Sequence, residues 1–390
     1  MNRVDEEWLQ DILVVLLQTP TQVPLGKTEI APGDPRIVGA IEDILLPRIQ
    51  ELRPDDIRRH EKGDVAARFG PDGDGGLLVQ TYIVSQHANL MDESRGGEIV
   101  EGSGLDLDGK AVLGQGASQN KGPMAAALAG VRARSRDLVK PVWLTVNTEG
   151  QSSHGGSRRV IDDLDVKASY GLVAFGTDLR VSLGNRGRVD VRIEVAGSSS
   201  HSSQPWLGSN PIPLAAEAVL ALRSLSLPEE DPVLGPSSAT PYQFACFPIA
   251  PHTIPERVSI VVDRRLLPGE DPLEAVSAIG EHISRAGIVA DVKSGMHMLP
   301  ARVGKEQPIV RALVNGVREV AGAPAETFFS PNAFDAGYAC SRGIPTPMFG
   351  PGKRRFAGAG LTGTDAVSLR DCSIAASAIA FAIDNLCGGD

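Results

Sequence analysis

Cysteine is scarce in this sequence: four residues in 390, Cys246, Cys340, Cys372 and Cys387, lie far apart and never in CxxC spacing. That spacing argues against a disulfide scaffold and a zinc ribbon and fits reduced thiols in a cytoplasmic protein. A catalytic thiol is weighed against the commoner role of free cysteine as a small buried hydrophobe. Aromatic residues make up only 4%, so the core is built mainly from aliphatic side chains. Positive charge is also short: the net charge of -10 leaves no basic face for a phosphate backbone and excludes nucleic acid as a partner. Long apolar runs are missing. Ile12 to Leu17 is too short to span a membrane, and Met1 to Gln10 carries Asp5, Glu6 and Glu7 where a secretory leader would be basic. This stretch reads as part of an amphipathic first helix.

The hydrophobic content of 42% beside 22% charge is that of a soluble globular protein, and 390 residues exceed one typical core. Residues 1 to 60 read as two helices around a Pro/Gly-rich connection, Thr19 to Pro35. Asp64–Phe69, Gly76–Val84, Val142–Val146 and Gly171–Phe175 read as strands, with an Ala-rich helix at Gly122–Arg134. That alternation predicts an α/β unit with a mixed sheet covered on both faces. From about Val181 the pattern changes. Arg188–Val195 alternates charged and apolar residues, and the order strand, helix, strands, helix, strand up to Lys293 is that of a ferredoxin-like α+β insert. Helices at Pro308–Ala321 and Leu369–Leu386 and a strand at Thr346–Phe349 resume the α/β pattern. The expected division is 1–181 and 299–390 as one catalytic-type domain, split by a lid and dimerisation domain at 182–298. No internal repeat is present.

Three stretches place polar residues just after an apolar run, where open α/β sheets build their sites. They are Val84-Ser85-Gln86-His87-Ala88-Asn89, Gly114-Gln115-Gly116-Ala117-Ser118-Gln119-Asn120-Lys121-Gly122 and Thr145-Val146-Asn147-Thr148-Glu149-Gly150. In the insert stand Gly197-Ser198-Ser199-Ser200-His201-Ser202-Ser203-Gln204-Pro205, Gly208-Ser209-Asn210-Pro211 and Asp263-Arg264-Arg265-Leu266-Leu267-Pro268. Together these resemble, over nearly the whole chain, the co-catalytic zinc hydrolases that include acetylornithine deacetylase, succinyl-diaminopimelate desuccinylase and aminoacylase. The resemblance implies a zinc-peptidase-like mixed-sheet domain with an inserted ferredoxin-like lid, and a homodimer.

The metal ligands that the resemblance would supply are mostly replaced. His87 keeps a ligand position, but Asn89 stands where an aspartate would orient it. Gln119 stands in place of the metal-bridging aspartate, within the retained frame of Gly114, Gly116, Lys121 and Gly122. Glu149 falls at the general-base position and Gly150 at the ligand position after it. Phe175 falls at the fourth position, with Asp178 three residues on, and Leu361 at the last. No histidine follows His297. A neutral amide, two apolar side chains and a glycine cannot hold two dications, which need anionic oxygens or imidazoles.

What the resemblance implies for the insert is retained: His201 stabilises an oxyanion, Asn210 shapes the pocket, and Arg265 holds a substrate carboxylate in a bidentate contact. His252 replaces an asparagine before Ile254-Pro255. The expected function is therefore a metal-independent enzyme without cofactor. It acts on the amide or other acyl group of a small carboxylate-bearing substrate by hydrolysis or acyl transfer. Glu149 is the general acid/base and His201 the oxyanion stabiliser. His87, Asn89, Gln119, Asn120, Lys121, Asn210, Arg265, His252 and Asp335 line the substrate site. Bland readings compete: Glu149 as a cap of backbone amides, His201 as a solvated loop residue, Lys121 as a helix-start cation, Asp335 as a structural hydrogen-bonder. His154, on a polar loop, is read as a surface residue. Two other functions stay open, an inactive homologue that binds a small ligand, and a hydrolase with a rebuilt metal site of His87, Glu149 and Asp178.

Overall fold

The computed structural model describes residues 3–24, 29–85, 93–134, 137–149, 153–353 and 363–389. The chain divides into two compact units: Met1–Gly184 with Ala301–Ser330 and Asp335–Asp390, and Asn185–Pro300 with Pro331–Phe334. Among the described residues no helix is long and apolar enough to cross a membrane.

The larger unit is built on a mixed sheet in the order Asp56–Arg59, Val65–Phe69, Val142–Asn147, Leu77–Tyr82, Tyr170–Ala174, Met348–Phe349, Val181–Asn185 and Ala301–Arg302. Leu77–Tyr82 is its centre. Every residue of that strand is buried, and it pairs in parallel with both Val142–Asn147 and Tyr170–Ala174. Strands buried on both faces read as continuous apolar runs, which is why these segments were visible in the sequence. The expected fold class, a mixed-sheet α/β unit with an α+β insert, is the one observed.

The helix Leu369–Cys387 starts on Ser368, whose hydroxyl accepts from the Asp371 amide at 3.2 Å. It is packed closely by its neighbours because two glycines face it. A Cβ on Gly130 would lie 2.8 Å from the Ala376 carbonyl, and one on Gly316 would lie 2.9 Å from Ala378 Cα. Pro308–Ala321 has its expected bounds. Proline stands in its first turn, buried Ile309, Val310, Leu313 and Val317 recur at three- and four-residue spacing, and Gly322 in the left-handed region closes it.

Three expectations need correction. Asp56–Arg59, read as part of a helical region, is an edge strand. Lys110–Leu113, just before Gly114, does not belong to the main sheet. It sits in a separate antiparallel sheet with Ile99–Glu101 and Ala366–Ser368. The last strand of the insert, expected to end at Lys293, runs instead over Asp291–Met298.

The smaller unit is a four-stranded antiparallel sheet in the order Ser238–Phe247, Arg257–Leu266, Gly187–Ala196, Asp291–Met298, with helices Ile212–Ala221 and Pro272–Arg285. Chain order and sheet order together make a ferredoxin-like βαββαβ fold. Val189, Val191, Ile193 and Val195 face its core, while Arg188, Asp190, Arg192 and Glu194 alternate onto the other face. Asp271 caps the second helix, accepting from the Leu273 and Glu274 amides at 2.8 and 3.1 Å. Asp271→Ala is expected to cost about 1 kcal/mol, seen as a lower urea midpoint for exchange-protected amides of Pro272–Arg285.

Candidate functional site

The Gly114–Gly122 loop folds around one carboxylate. Asp365 is buried and accepts from the amides of Gly116 and Ser118 at 2.7 and 3.0 Å. Burial pushes its carboxyl above the ordinary range, while the Ser118 and Gly116 hydrogen bonds and the charge of Lys121 draw it back. Gly116 must be glycine: its φ is +86°, and a Cβ there would stand 2.2 Å from Ser85 Oγ.

Asn120 does not do what the sequence suggested. Its Oδ1 accepts from Ser85 Oγ at 3.0 Å, and its Nδ2 donates to the carbonyls of Tyr82 and Ile83 at 3.0 and 3.1 Å. Both amide hydrogens are taken, so Asn120 ties the loop to the end of the central strand and has no donor left for a substrate. Lys121 is 1% exposed and donates from Nζ to the Thr19 carbonyl at 2.7 Å. It lines a cavity of about 290 Å³ with Leu17, Gln18, Gln22 and Gln115. The Gln119 carbonyl accepts from the Gly176 amide at 2.9 Å. His87 and Asn89 lie outside the described residues.

The third block carries the strongest electrostatics. Asp64 and Glu149 lie at neighbouring strand ends, since Val65 pairs with Val146. Two buried carboxylates there need a shared cation, and Arg159 supplies it. Its Nε and Nη2 donate to the two oxygens of Asp64, its Nη1 to Glu149 Oε1 at 2.8 Å and its Nη2 also to Thr148 Oγ1 at 3.3 Å. Burial opposes the Arg159 charge, but the hydrogen bonds and charges of Asp64 and Glu149 outweigh it and hold the guanidinium above its ordinary value. Glu149 Oε2 accepts from Ser153 Oγ at 2.7 Å, and a Cβ on Gly155 would come within 2.1 Å of that oxygen. Glu149 is therefore held in one place by Arg159, Ser153 and the bare backbone of Gly155. Sequence reasoning missed Arg159. The signal for it was the pair of acids at adjacent strand ends.

His154 corrects another expectation. It is not a surface residue: it is 8% exposed, and its Nδ1 lies 3.4 Å from Asp335 Oδ1, itself 2% exposed. Its ring centroid lies 5.7 Å from that of Tyr338. Burial pushes the Asp335 carboxyl above the ordinary range. His154 pulls it down, Glu149 adds upward repulsion, and Arg159 again lowers it. Glu149, Arg159, His154 and Asp335 thus form one electrostatic cluster beyond the end of the strand Val142–Asn147.

The zinc pair implied by the resemblance meets a poor donor set. Phe175 is buried, its ring centroid 6.4 Å from that of Tyr82. Asp178 is exposed in the left-handed region at φ +59°. Among the described residues no group of three or more His, Cys, Asp or Glu side chains is placed to hold a metal ion. Gln119, Gly150 and Phe175 offer neither anionic oxygen nor imidazole, so these positions do not fit the two-zinc centre. The rebuilt set of His87, Glu149 and Asp178 asks Glu149 to leave Arg159.

Within the smaller unit, Ser200–His201 pairs antiparallel with Thr253–Ile254. His201 is exposed, its Nδ1 lies 2.8 Å from Ser203 Oγ, and its ring stacks on His252 at 6.0 Å. His252 sits in a turn at φ +52°. Asn210 Oδ1 accepts from the Ile212 amide at 3.1 Å at the start of a helix. Arg265 Nη2 donates to Asp263 Oδ2 at 2.8 Å, so one side of its fork is engaged along its own strand. Trp206 and Ile249 are 74% and 88% exposed.

A family model described as a peptidase dimerisation domain matches residues 183–290. The acetylornithine deacetylase of Aliivibrio fischeri is 27% identical over 173 residues, 44% of either chain. That of Yersinia pseudotuberculosis is 24% identical over 197 residues, 49% of either chain. The matched stretch spans just under half the length of these relatives. In fold, the M20 family metallo-carboxypeptidase of Sulfolobus solfataricus superposes with a TM-score of 0.73 at 16% identity, over 97% of this chain and 99% of that one. A di-peptidase of Saccharomyces cerevisiae gives 0.74 at 10% identity, over 98% and 96%. The chain thus carries a segment similar to a peptidase dimerisation domain, is similar over part of its length to acetylornithine deacetylases, and shares its fold with an M20 family metallo-carboxypeptidase.

Proposed function

We propose that this chain is a metal-independent enzyme that acts on the amide or other acyl group of a small carboxylate-bearing molecule, by hydrolysis or acyl transfer, as a cytoplasmic homodimer. The observation that carries this reading is the contrast between two sets of positions. Gln119, Gly150 and Phe175 cannot ligate zinc, while Glu149, Arg159, His154 and Asp335 are drawn into one buried polar cluster. Relatives named for deacetylation and peptide cleavage support an amide-like bond as the target. The dimerisation segment supports a second copy as partner.

In this reading Glu149 removes the proton of the attacking nucleophile, and Arg159 and Ser153 fix its carboxylate in position. His201 stabilises the oxyanion. Gln119, Lys121 and Asp335 are the substrate-binding candidates of the larger unit, and Asn210, His252 and Arg265, the last for a substrate carboxylate, those of the smaller one. No zinc lowers the pKa of water, so the substrate is an activated acyl compound or the acyl group passes to a better nucleophile. The engagement of Glu149 by Arg159 favours one second reading, an inactive homologue that binds the same class of ligand.

Metal analysis of protein purified without chelator, followed by turnover of an acyl and amide panel, tests both. The enzyme reading expects less than about a tenth of an equivalent of zinc. It also expects turnover that falls by about 10²–10³ in Glu149→Gln and His201→Ala. A tightly held equivalent of metal removes the metal-independent reading. Ligand binding without turnover selects the second.

A further inference from the structure

A buried histidine and a buried carboxylate both give up hydration, and their mutual contact is what offsets that loss. His154 and Asp335 are 181 residues apart in sequence, are 8% and 2% exposed, and meet at 3.4 Å, within the slack that unliganded catalytic contacts show. Glu149 stands in the same cluster, close enough that its charge raises the Asp335 carboxyl. Two acid–base groups thus stand together in contrasting surroundings. Glu149 is clamped by a guanidinium and a hydroxyl, and His154 is backed by a carboxyl that burial drives toward its proton. Separated environments of this kind divide labour between a base and an acid.

We propose that His154 is the general acid of this site, with Asp335 as its positioning residue. The inference rests on the acyl-group reading above and assigns its second proton. Asp335 accepts the Nδ1 proton, which leaves the exchangeable proton on Nε2. The nucleophile, water or an acceptor hydroxyl, bonds to the acyl carbon as Glu149 takes its proton. The acyl-to-leaving-group bond breaks as the Nε2 proton of the imidazolium passes to the departing nitrogen or oxygen. Transfer of the proton from Glu149 to Nε2 restores the starting state, so atoms and charge balance and no co-reactant is needed. Among the described residues, Asp335 and Tyr338 face the ring, Glu149 and Arg159 act on Asp335, and the Tyr338 hydroxyl binds Asp162 beside Arg342.

The test combines a spectroscopic and a kinetic signature on the full chain. Selective ¹⁵N labelling of histidine, with His154→Gln to assign the signals, is expected to show the neutral ring carrying its proton on Nδ1, facing Asp335. Asp335→Asn is expected to abolish that tautomer preference. Kinetics then compare two probes that keep a free carboxylate, one with a good leaving group, mono-p-nitrophenyl succinate, and one with a poor one, the anilide succinanilic acid. A general acid matters most for the poor leaving group, so the loss in His154→Gln is expected to be at least about tenfold larger on the anilide.

Equal losses on the two probes, a bare Nδ1, or a tautomer unmoved by Asp335→Asn would overturn the proposal. The tautomer read in the unaltered protein decides it even where Asp335→Asn fails to fold. Should neither probe turn over while the tautomer behaves as stated, the acyl reading falls and the His154–Asp335 proton pair stands.

Discussion

Arg159→Met is expected to destabilise the larger unit by about 3–5 kcal/mol, the cost of leaving a buried charge pair without its partner. The side chain it removes is 5% exposed and holds Asp64, fully buried, and Glu149, 9% exposed. Without the guanidinium, Asp64 keeps, among the described residues, the Thr148 amide and hydroxyl at 2.9 and 3.2 Å, and Glu149 keeps Ser153. Two buried carboxylates would then stand near a third, Asp335, without the guanidinium that neutralises them. Arg159→Lys should recover less than half of the loss, because an ammonium cannot reproduce a fork that reaches two acids at once. Adding Asp64→Asn and Glu149→Gln to Arg159→Met should restore part of the stability by removing the orphaned charges. Urea-dependent hydrogen exchange on Val142–Asn147 isolates this unit from the other. A loss below about 1 kcal/mol, or a lysine that fully substitutes, would show that the network contributes little.

This network also shows what the sequence could and could not disclose. Alternation in Gly187–Ala196, the buried run of Leu77–Tyr82 and the helical spacing of Pro308–Ala321 are local signals, and each marked its element. Short exposed strands carry no such signal: Asp56–Arg59 has no fully buried residue, and Ile99–Glu101 has one half-buried residue between two exposed ones. Candidate positions such as Glu149 could be singled out in the sequence, but not their pairings. Glu149 was found from its place after a strand, yet Arg159 binds it together with Asp64, 95 residues away. His154 looked like a loop residue because Ser153 and two glycines flank it, and nothing nearby announces Asp335. As a neutral hydrogen-bond donor in place of the metals, Asn120 would need a free amide hydrogen, but its three hydrogen bonds run to the strand end folded beneath it.

A second consequence concerns how much of the cluster is structural. The Asp64–Arg159–Glu149 line needs no substrate to explain it, since it closes two strand ends over one cation. The His154–Asp335 pair has no such duty: it joins the start of the turn Gly155–Arg158 to the helix Ala336–Ser341, where an apolar contact would serve as well. Polar groups that folding does not require are the ones to suspect of chemistry.

Asp371→Asn is expected to stabilise the protein by about 2.5 kcal/mol at pH 7.5 and to do almost nothing at pH 4. Asp371 lies in the first turn of Leu369–Cys387, where a negative charge is ordinarily favoured by the helix dipole. Burial nonetheless pushes its carboxyl up to about 6, with the charges of Asp178 and Asp108 adding to it and Lys353 and Arg370 drawing it back. In the unfolded chain the same group titrates near 3.9. Between about pH 4 and 6 the native state therefore binds more protons than the unfolded state, and stability falls as pH rises through that window. Below it both states are protonated and no penalty exists. Above it the full penalty applies, about 3 kcal/mol for a two-unit difference, less the few tenths that the helix dipole returns to the anion. Asparagine keeps the shape and carries no charge, so the variant's stability should lose this descending limb. Urea midpoints of both proteins across pH 4 to 8 measure it. A gain of equal size at both ends would mean that packing, not ionisation, is at work, and a loss at pH 7.5 would mean that the helix dipole outweighs the burial.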